Sequence, residues 1–330
     1  MTGRPHILVV GGAGYIGSHM VKDLLRAGYA VTVLDDLSRG HREMVGDAEL
    51  IEGDLGNTEI LRRIFRAQPV DAVMHFAAHS LVGESVEKPL AYYRNNVART
   101  IELLDSMLTH GVTRFIFSST AAVYGEPNSV PIDEDHPCQP TNPYGASKRA
   151  VERLLADCAP GSGLNYVSLR YFNAAGADTS GTLGERHRPE THLIPLVLQV
   201  ATGQRDAIRI YGTDYPTPDG TCLRDYVHVS DLTQAHLLAL ESLIRGSGNA
   251  VYNLGNSKGY SVREVIEAAR QVTGHDIPVI EAPRRAGDPA VLIADSSRIR
   301  RVLGWRPVYE DLSSIIGTAW LWHQREARSA

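Results

Sequence analysis

The chain of 330 residues has only three cysteines, four lysines and no apolar run approaching the roughly 18 residues that a membrane span requires. Each scarcity excludes something. Cys138, Cys158 and Cys222 are odd in number and far apart, so they offer neither a disulfide framework nor a metal knuckle, and they suit a reducing compartment. Acids and bases are interspersed to a formal net charge of -5, which leaves no basic stripe for nucleic acid and no polybasic segment for a membrane surface. Repeats and low-complexity tracts are missing as well. Only five residues precede the apolar run His6 to Val10, and glycines follow it at once, so the expectation is a cytoplasmic protein without a secretory signal. The partners left are small molecules or a second copy of the chain.

What is present is an alternation of two periods. Candidate strands are Ile7 to Val10, Val31 to Leu34, Leu50 to Glu52, Ala72 to His75, Phe115 to Ser118 and Tyr166 to Leu169. Between them, Ile16 to Ala27, Glu59 to Ala67, Leu90 to Thr109 and Tyr144 to Cys158 carry apolar residues at three and four spacing. This predicts an α/β fold with a Rossmann-type doubly wound parallel sheet. After about residue 175 the regularity weakens, with turns around Tyr215 to Gly220 and Ala282 to Pro289. Residues 1–175 are therefore expected to form a dinucleotide-binding domain and 176–330 mainly a smaller C-terminal α/β substrate-binding lobe, with about 229–255 able to return to the first domain.

Two motifs carry the chemistry. Gly11-Gly12-Ala13-Gly14-Tyr15-Ile16-Gly17 follows a strand and opens a helix, where residues without Cβ let the backbone turn tightly and approach a pyrophosphate at the positive helix end. Alone, such a loop is also compatible with a mere tight turn. Asp35 ends the second strand, placed to accept hydrogen bonds from ribose hydroxyls, so NAD is favoured over NADP, although Arg39 is nearby. Asp54, after the third strand, is placed for the adenine edge or is an ordinary turn acid. The second motif is Tyr144-Gly145-Ala146-Ser147-Lys148, whose Tyr and Lys share a face if the segment is helical. An ammonium beside a phenol favours the phenolate, so Lys148 is expected to lower the Tyr144 pKa and make it a usable base. Upstream, Ser118-Ser119-Thr120 ends a strand and can supply a hydroxyl that bridges substrate and base. His75 and His79 lack metal-ligand geometry, and no metal is expected.

In these motifs the chain resembles the extended short-chain dehydrogenase/reductases, and within them the nucleotide-sugar 4-epimerases, from Ile7 to about Trp322. The resemblance also rests on His75-Phe76-Ala77-Ala78, Val82 to Ser85, Asn95-Asn96-Val97, Ser118 to Gly125, Arg170-Tyr171-Phe172-Asn173, Arg224 to Val229 and Arg284-Arg285-Ala286-Gly287-Asp288. It implies NAD held by Gly11, Gly14, Tyr15, Ile16, Gly17, Asp35, Asp54, Leu55, Phe76, Ala77, Asn95, Ser118, Lys148 and Tyr171. It implies catalysis by Tyr144, Lys148 and Thr120, and a UDP sugar bound by Thr120, Tyr144, Asn173, Leu193, Tyr211, Arg224, Arg285 and Asp288. The physical chemistry of the last group agrees: arginine forks suit a diphosphate, Tyr211 offers a face to uracil, and Asp288 accepts from hydroxyls.

By the same resemblance UDP-glucose and UDP-galactose are the substrates, and the chain pairs as a homodimer through the helices at 90–109 and 144–158. Dehydratases of this group carry an acid pair after the threonine, where this chain has Ala121 and Ala122. Leu292 stands where narrow-specificity members have Tyr and broader ones a small residue, which leaves UDP-N-acetylhexosamines and UDP-pentoses open as substrates. His192, before Leu193, stands where Asn is frequent and is left unassigned. The alternative from another class is a catalytically silent NAD-sensing regulator, against which Thr120, Tyr144 and Lys148 stand intact.

Overall fold

The computed structural model describes residues 4–285 and 288–329, so Ala286 and Gly287 of the last motif lie outside the described residues. Runs of Val, Ile and Leu form the strands, and the connections carry apolar stripes at helical spacing. The first stretch runs β1 (His6–Val10), α1 (Tyr15–Arg26), β2 (Ala30–Asp35), β3 (Glu49–Glu52), α2 (Thr58–Ala67) and β4 (Ala72–His75). It continues with the short helices α3 (Val82–Glu87) and α4 (Pro89–Tyr92), a π-helical turn (Tyr93–Ala98), α5 (Arg99–Thr109), β5 (Arg114–Thr120), α6 (Pro143–Ser162) and β6 (Asn165–Tyr171). Then follow β7 (Asn173–Ala175), α7 (Leu193–Ala201), β8 (Ile208–Tyr211), β9 (Leu223–His228), α8 (Val229–Ile244) and β10 (Ala250–Leu254). The last elements are β11 (Gly259–Ser261), α9 (Val262–Thr273), β12 (Val279–Ala282), β13 (Val291–Leu292), α10 (Ser297–Leu303) and α11 (Leu312–Ser329).

These elements make two compact units. One runs to Gly125 and includes Pro137–Arg170 and Thr233–Tyr252; the other comprises Glu126–His136, Tyr171–Leu232 and the chain from Asn253 onward. The seven-stranded sheet has the order β10-β6-β5-β4-β1-β2-β3, and β1 pairs in parallel with both β2 and β4. Strand order therefore reverses between β1 and β4. That switch point is where an open doubly wound sheet leaves a crevice at its carboxyl ends. In the first unit Leu8, Val10, Val73, Phe115 and Phe117 of the strands pack against Leu103 and Met107 of α5 and Val151 and Leu155 of α6.

Caps fix where the helices start. Asn57 accepts the N–H groups of Glu59 and Ile60 before α2, and Asn142 accepts that of Gly145 before α6, which has Pro143 in its first turn. The spacing predicts one helix over Leu90 to Thr109. Instead, the π-helical turn interrupts it, because Asn96 turns inward: its amide donates to His79 O and to Ser147 Oγ, both at 2.9 Å, and accepts the His79 N–H at 2.8 Å.

In the second unit β9 lies between antiparallel β11 and parallel β13, and β7 also pairs with β9. Strands β8 and β12 form a separate parallel pair. Ile194, Val197 and Leu198 of α7 pack with Val265 and Ile266 of α9 and Ile315 and Ile316 of α11. Ser261 and Glu264 form a reciprocal capping box at the start of α9. Among the described residues no helix is long and apolar enough to cross a membrane.

Leu103 of α5 is fully buried in the core of the first unit, so Leu103→Ala removes packing that the backbone cannot refill. It is expected to lower stability by about 2–5 kcal/mol, read as a drop in the thermal midpoint of circular dichroism; an unchanged midpoint would place Leu103 outside the core.

Candidate active site

The glycine loop sits directly after β1, at the switch point. Gly11 has a φ of +81°, and a Cβ there would lie 2.5 Å from the Ala77 nitrogen, so β1 and the turn after β4 touch through this residue. A Cβ on Gly17 would lie 2.1 Å from Gly11 O, which makes that glycine a packing requirement. Gly14 differs, because a Cβ there would meet only Gly11 O, at 3.5 Å. Packing within the chain does not demand a glycine at 14, and the backbone there stays open to close approach. Gly14 also caps α1 without a side-chain bond, and the first turn of that helix holds no acid, so its positive end is uncompensated. Tyr15 is buried edge-on to His19, and Ile16 is half-buried beside it.

Asp35 ends β2 and accepts the Ala13 N–H on Oδ2 and the Leu37 N–H on Oδ1, each at 2.9 Å. It thus ties the loop to the second strand and keeps lone pairs for hydroxyl donors. Burial raises its pKa, while these two bonds oppose the rise. Asp54 is engaged differently: Oδ1 accepts the Gly56 N–H and Oδ2 pairs with Arg99 at 2.6 Å. Arg99 in turn donates to Asn95 Oδ1 at 2.7 Å, linking two residues expected at the cofactor. Leu55 points into the core. The Phe76 and Ala77 N–H groups both donate to Val10 O, holding this turn beside the loop, and the Phe76 ring lies 4.9 Å from that of His236. Arg39, the residue that kept NADP open, lies 3.9 Å from Glu84.

The base motif is helical, on the first turns of α6. Tyr144 shares a hydrogen bond with Thr120, whose Oγ1 also accepts the Ala122 N–H. Lys148 is 3% exposed; its Nζ donates to the Ser118 carbonyl at 2.7 Å and lies 4.7 Å above the Phe117 ring. Loss of water lowers its pKa to about 7, with Glu152 opposing the fall. The expected effect on Tyr144 is not what its surroundings produce. Burial raises the Tyr144 pKa and the Thr120 bond lowers it in part, while the Lys148 charge is spent on Ser118 O and is itself weakly retained.

Sequence reasoning missed the group behind this pair. Glu152, one turn after Lys148, accepts from Arg170 Nε and from its second terminal nitrogen at 2.8 and 2.7 Å, and from Ser119 Oγ at 2.7 Å. Arg170 also donates to the Tyr124 hydroxyl at 2.9 Å. Burial alone would raise Glu152, but these donors hold its carboxyl below the usual range. A signal was available, since Glu152 stands at i+4 from Lys148 on the helix face that must be buried. Asn96 was likewise passed over for its neighbour Asn95.

The second unit gathers the other expected residues in pairs. Arg224, on β9, donates to Leu223 O and lies 3.4 Å from Asp288 Oδ1. The Arg285 guanidinium lies 3.8 Å from the centre of the Tyr211 ring at the end of β8. Asn173 opens β7 in register with Tyr226, two residues beyond Arg224, and Leu292 of β13 is in register with Arg224 itself. Leu193 is the first residue of α7, and Tyr171 is buried at the end of β6. His192 is the residue before α7, and its ring turns to Glu185. His75 meets Thr100 at 2.9 Å, away from His79.

Residues 7–255 match the model of the NAD dependent epimerase/dehydratase family. The UDP-glucose 4-epimerase of Halalkalibacterium halodurans is 55% identical over 96% of this chain and 95% of its own. The structure of the Brucella ovis UDP-glucose 4-epimerase in complex with NAD is 49% identical, with a TM-score of 0.93 over 96% of this chain and 97% of that one. The Bifidobacterium longum UDP-glucose 4-epimerase in complex with NAD+ and UDP is 38% identical, with a TM-score of 0.93 over 98% of this chain and 100% of that one.

The two glycines separate binding from folding. Gly14→Ala is expected to keep the melting temperature and weaken NAD by about tenfold or more in isothermal titration, a difference of about 1.4 kcal/mol. Gly17→Ala is expected to lower the melting temperature, because its Cβ meets backbone. Equal melting losses in both would show that Gly14 serves packing alone.

Proposed function

The chain belongs to the NAD dependent epimerase/dehydratase family, and on that premise we infer that it interconverts UDP-glucose and UDP-galactose by inverting C4 of the hexose. The observation that carries the site assignment is Tyr144 bonded to Thr120 on the helix that also carries the buried Lys148. Held by the glycine loop, Asp35 and Lys148, NAD would supply a reversible hydride acceptor for C4 and a positive charge that favours a nearby phenolate.

Tyr144 takes the O4 proton as the alcohol is oxidised and gives it back as the ketone is reduced, so the residue ends each turnover as it began. Thr120 orients that hydroxyl and shares the proton path. In this reading Lys148, bound to Ser118 O, also donates to the nicotinamide ribose, and Asp35 accepts from the adenosine ribose. The bare start of α1 and Gly14 accommodate the pyrophosphate. For the sugar nucleotide, Arg224 and Arg285 meet the diphosphate, Tyr211 the uracil and Asp288 the ribose, with Asn173 and Leu193 beside them. Anchoring through UDP leaves the hexose free to turn about the phosphate linkage and present its other face. Leu292, in register with Arg224, sets the room beside the sugar and leaves N-acetylated or pentose sugars as the second reading. A silent NAD sensor would have no use for the Thr120–Tyr144 bond.

Pairing into a homodimer is supported by a line of exposed apolar residues on α3 to α5 and the π-helical turn between them: Val82, Val86, Leu90, Tyr93 and Ile101. Three free cysteines suit the cytoplasm.

The test is product analysis with UDP-glucose or UDP-galactose and no added NAD. Wild type is expected to bring either sugar to the same mixture, and Tyr144→Phe to lose about 10²- to 10⁴-fold in kcat with the fold intact. Conversion undiminished by Tyr144→Phe would remove the base, and no conversion of any UDP sugar would remove the reaction.

A further inference from the structure

Between β7 and α7 the chain places four metal-type ligands within eight residues: Glu185, His187, Glu190 and His192. One ligand atom from each lies within 4.8 Å of all the others. Both imidazoles present Nδ1 to the two acids. His192 Nδ1 lies 2.5 Å from Glu185 Oε1 and 3.4 Å from Glu190 Oε1; His187 Nδ1 lies 3.2 Å from Glu185 Oε1 and 3.6 Å from Glu190 Oε2. A tetrahedral ion with Zn–N and Zn–O distances of about 2.0–2.2 Å separates its ligand atoms by about 3.3–3.6 Å, so the 2.5 Å His192–Glu185 contact opens and the wider pairs close around an ion. The two carboxylates are 6% and 4% exposed, and among the described residues they pair with the two imidazoles rather than with Lys or Arg. Two such acids side by side require compensating positive charge, which the two imidazoles supply when protonated and a metal ion would supply in its place.

The loop is also held from outside. Trp322 of α11 donates its indole N–H to Glu185 O at 3.1 Å, and Arg186 pairs with Glu326 at 3.3 Å. A Cβ on Gly184 would lie 2.2 Å from the Trp322 ring, so the backbone before Glu185 is pressed against that indole. The carboxylate is thus positioned by packing as well as by its partners, as a ligand fixed in advance needs.

We propose that Glu185, His187, Glu190 and His192 form a closed four-ligand site for a divalent transition metal, zinc being the ion whose geometry and donor preference they fit best. With two nitrogen and two carboxylate donors and no open position, the ion is structural. It pins the loop to the start of α7 and so fixes the backbone that presents Leu193. This also gives His192 a role that does not involve the sugar. None of the four ligands has a part in the inversion at C4.

The test uses untagged protein dialysed against zinc and then freed of unbound metal. Wild type is expected to retain about one zinc per chain by mass spectrometry, and His187→Gln with Glu190→Gln to weaken zinc by about 100-fold or more in competition with a chromophoric chelator, with NAD content unchanged. Cobalt in the wild type should give the intense visible bands of a four-coordinate ion, a reading that stands even if the variant does not fold. Wild type without zinc, zinc held equally by the variant, or a cobalt spectrum that is octahedral or shows thiolate charge transfer would each overturn the site.

Discussion

The ammonium of Lys148 is a charge removed from water at the end of β5, and the surrounding structure is arranged to make that tolerable. Two elements must meet for it to exist. Strand β5 must end so that the Ser118 carbonyl points at Nζ, and α6 must begin at Asn142 so that Tyr144 and Lys148 fall on one face. A third requirement lies behind them. Glu152 is 2% exposed, and its charge is matched by Arg170 in a bidentate pair, so the lysine has a carboxylate one turn away whose own burial is already compensated. Replacing any one of these groups leaves another buried charge with too little to face it. Asn96 steadies the same helix through Ser147, which accounts for a π-helical turn in a helix that could otherwise have been regular.

The residues of the first unit divide by what requires them. Gly11 and Gly17 are required by the chain itself, since a side chain at either would strike backbone. Gly14, the uncapped start of α1 and the spare lone pairs of Asp35 are not required by packing, and these are the features that a dinucleotide would use. In the second unit, Arg224 with Asp288 and Arg285 with Tyr211 are pairs whose charges and faces suit a nucleoside diphosphate. The chemistry asks for firm hold on the nucleotide and loose hold on the hexose, and the charged pairs fall on the residues assigned to the nucleotide.

Much of this was legible in the sequence because it is local. The glycine spacing, the Tyr–Lys spacing and the apolar runs of β1, β2, β4 and β5 each encode one element, and the structure has those elements with ends shifted by one or two residues, save that α6 runs four residues past Cys158 to Ser162. Long-range pairings were not legible. Glu152 with Arg170, Asn96 with His79 and Ser147, and Glu126–His136 joining the second unit all depend on contacts that no periodicity records. The sign of the Tyr144 shift was misjudged for the same reason: spacing places the lysine near, but desolvation decides how much charge it keeps. The Glu185 to His192 cluster is local in sequence, but its closure depends on how the loop turns its four side chains toward one another, which spacing alone does not record.

With only four lysines in the chain, the state of Lys148 can be read directly. The most direct measurement is an NMR titration of protein labelled at the lysine side chains and stripped of NAD, with Lys148→Met to identify the signal. One signal should titrate near pH 7 and be missing from the variant, as a desolvated ammonium requires. If no signal titrates below the ordinary lysine value of 10.5, the ammonium is solvated and the account of this site fails.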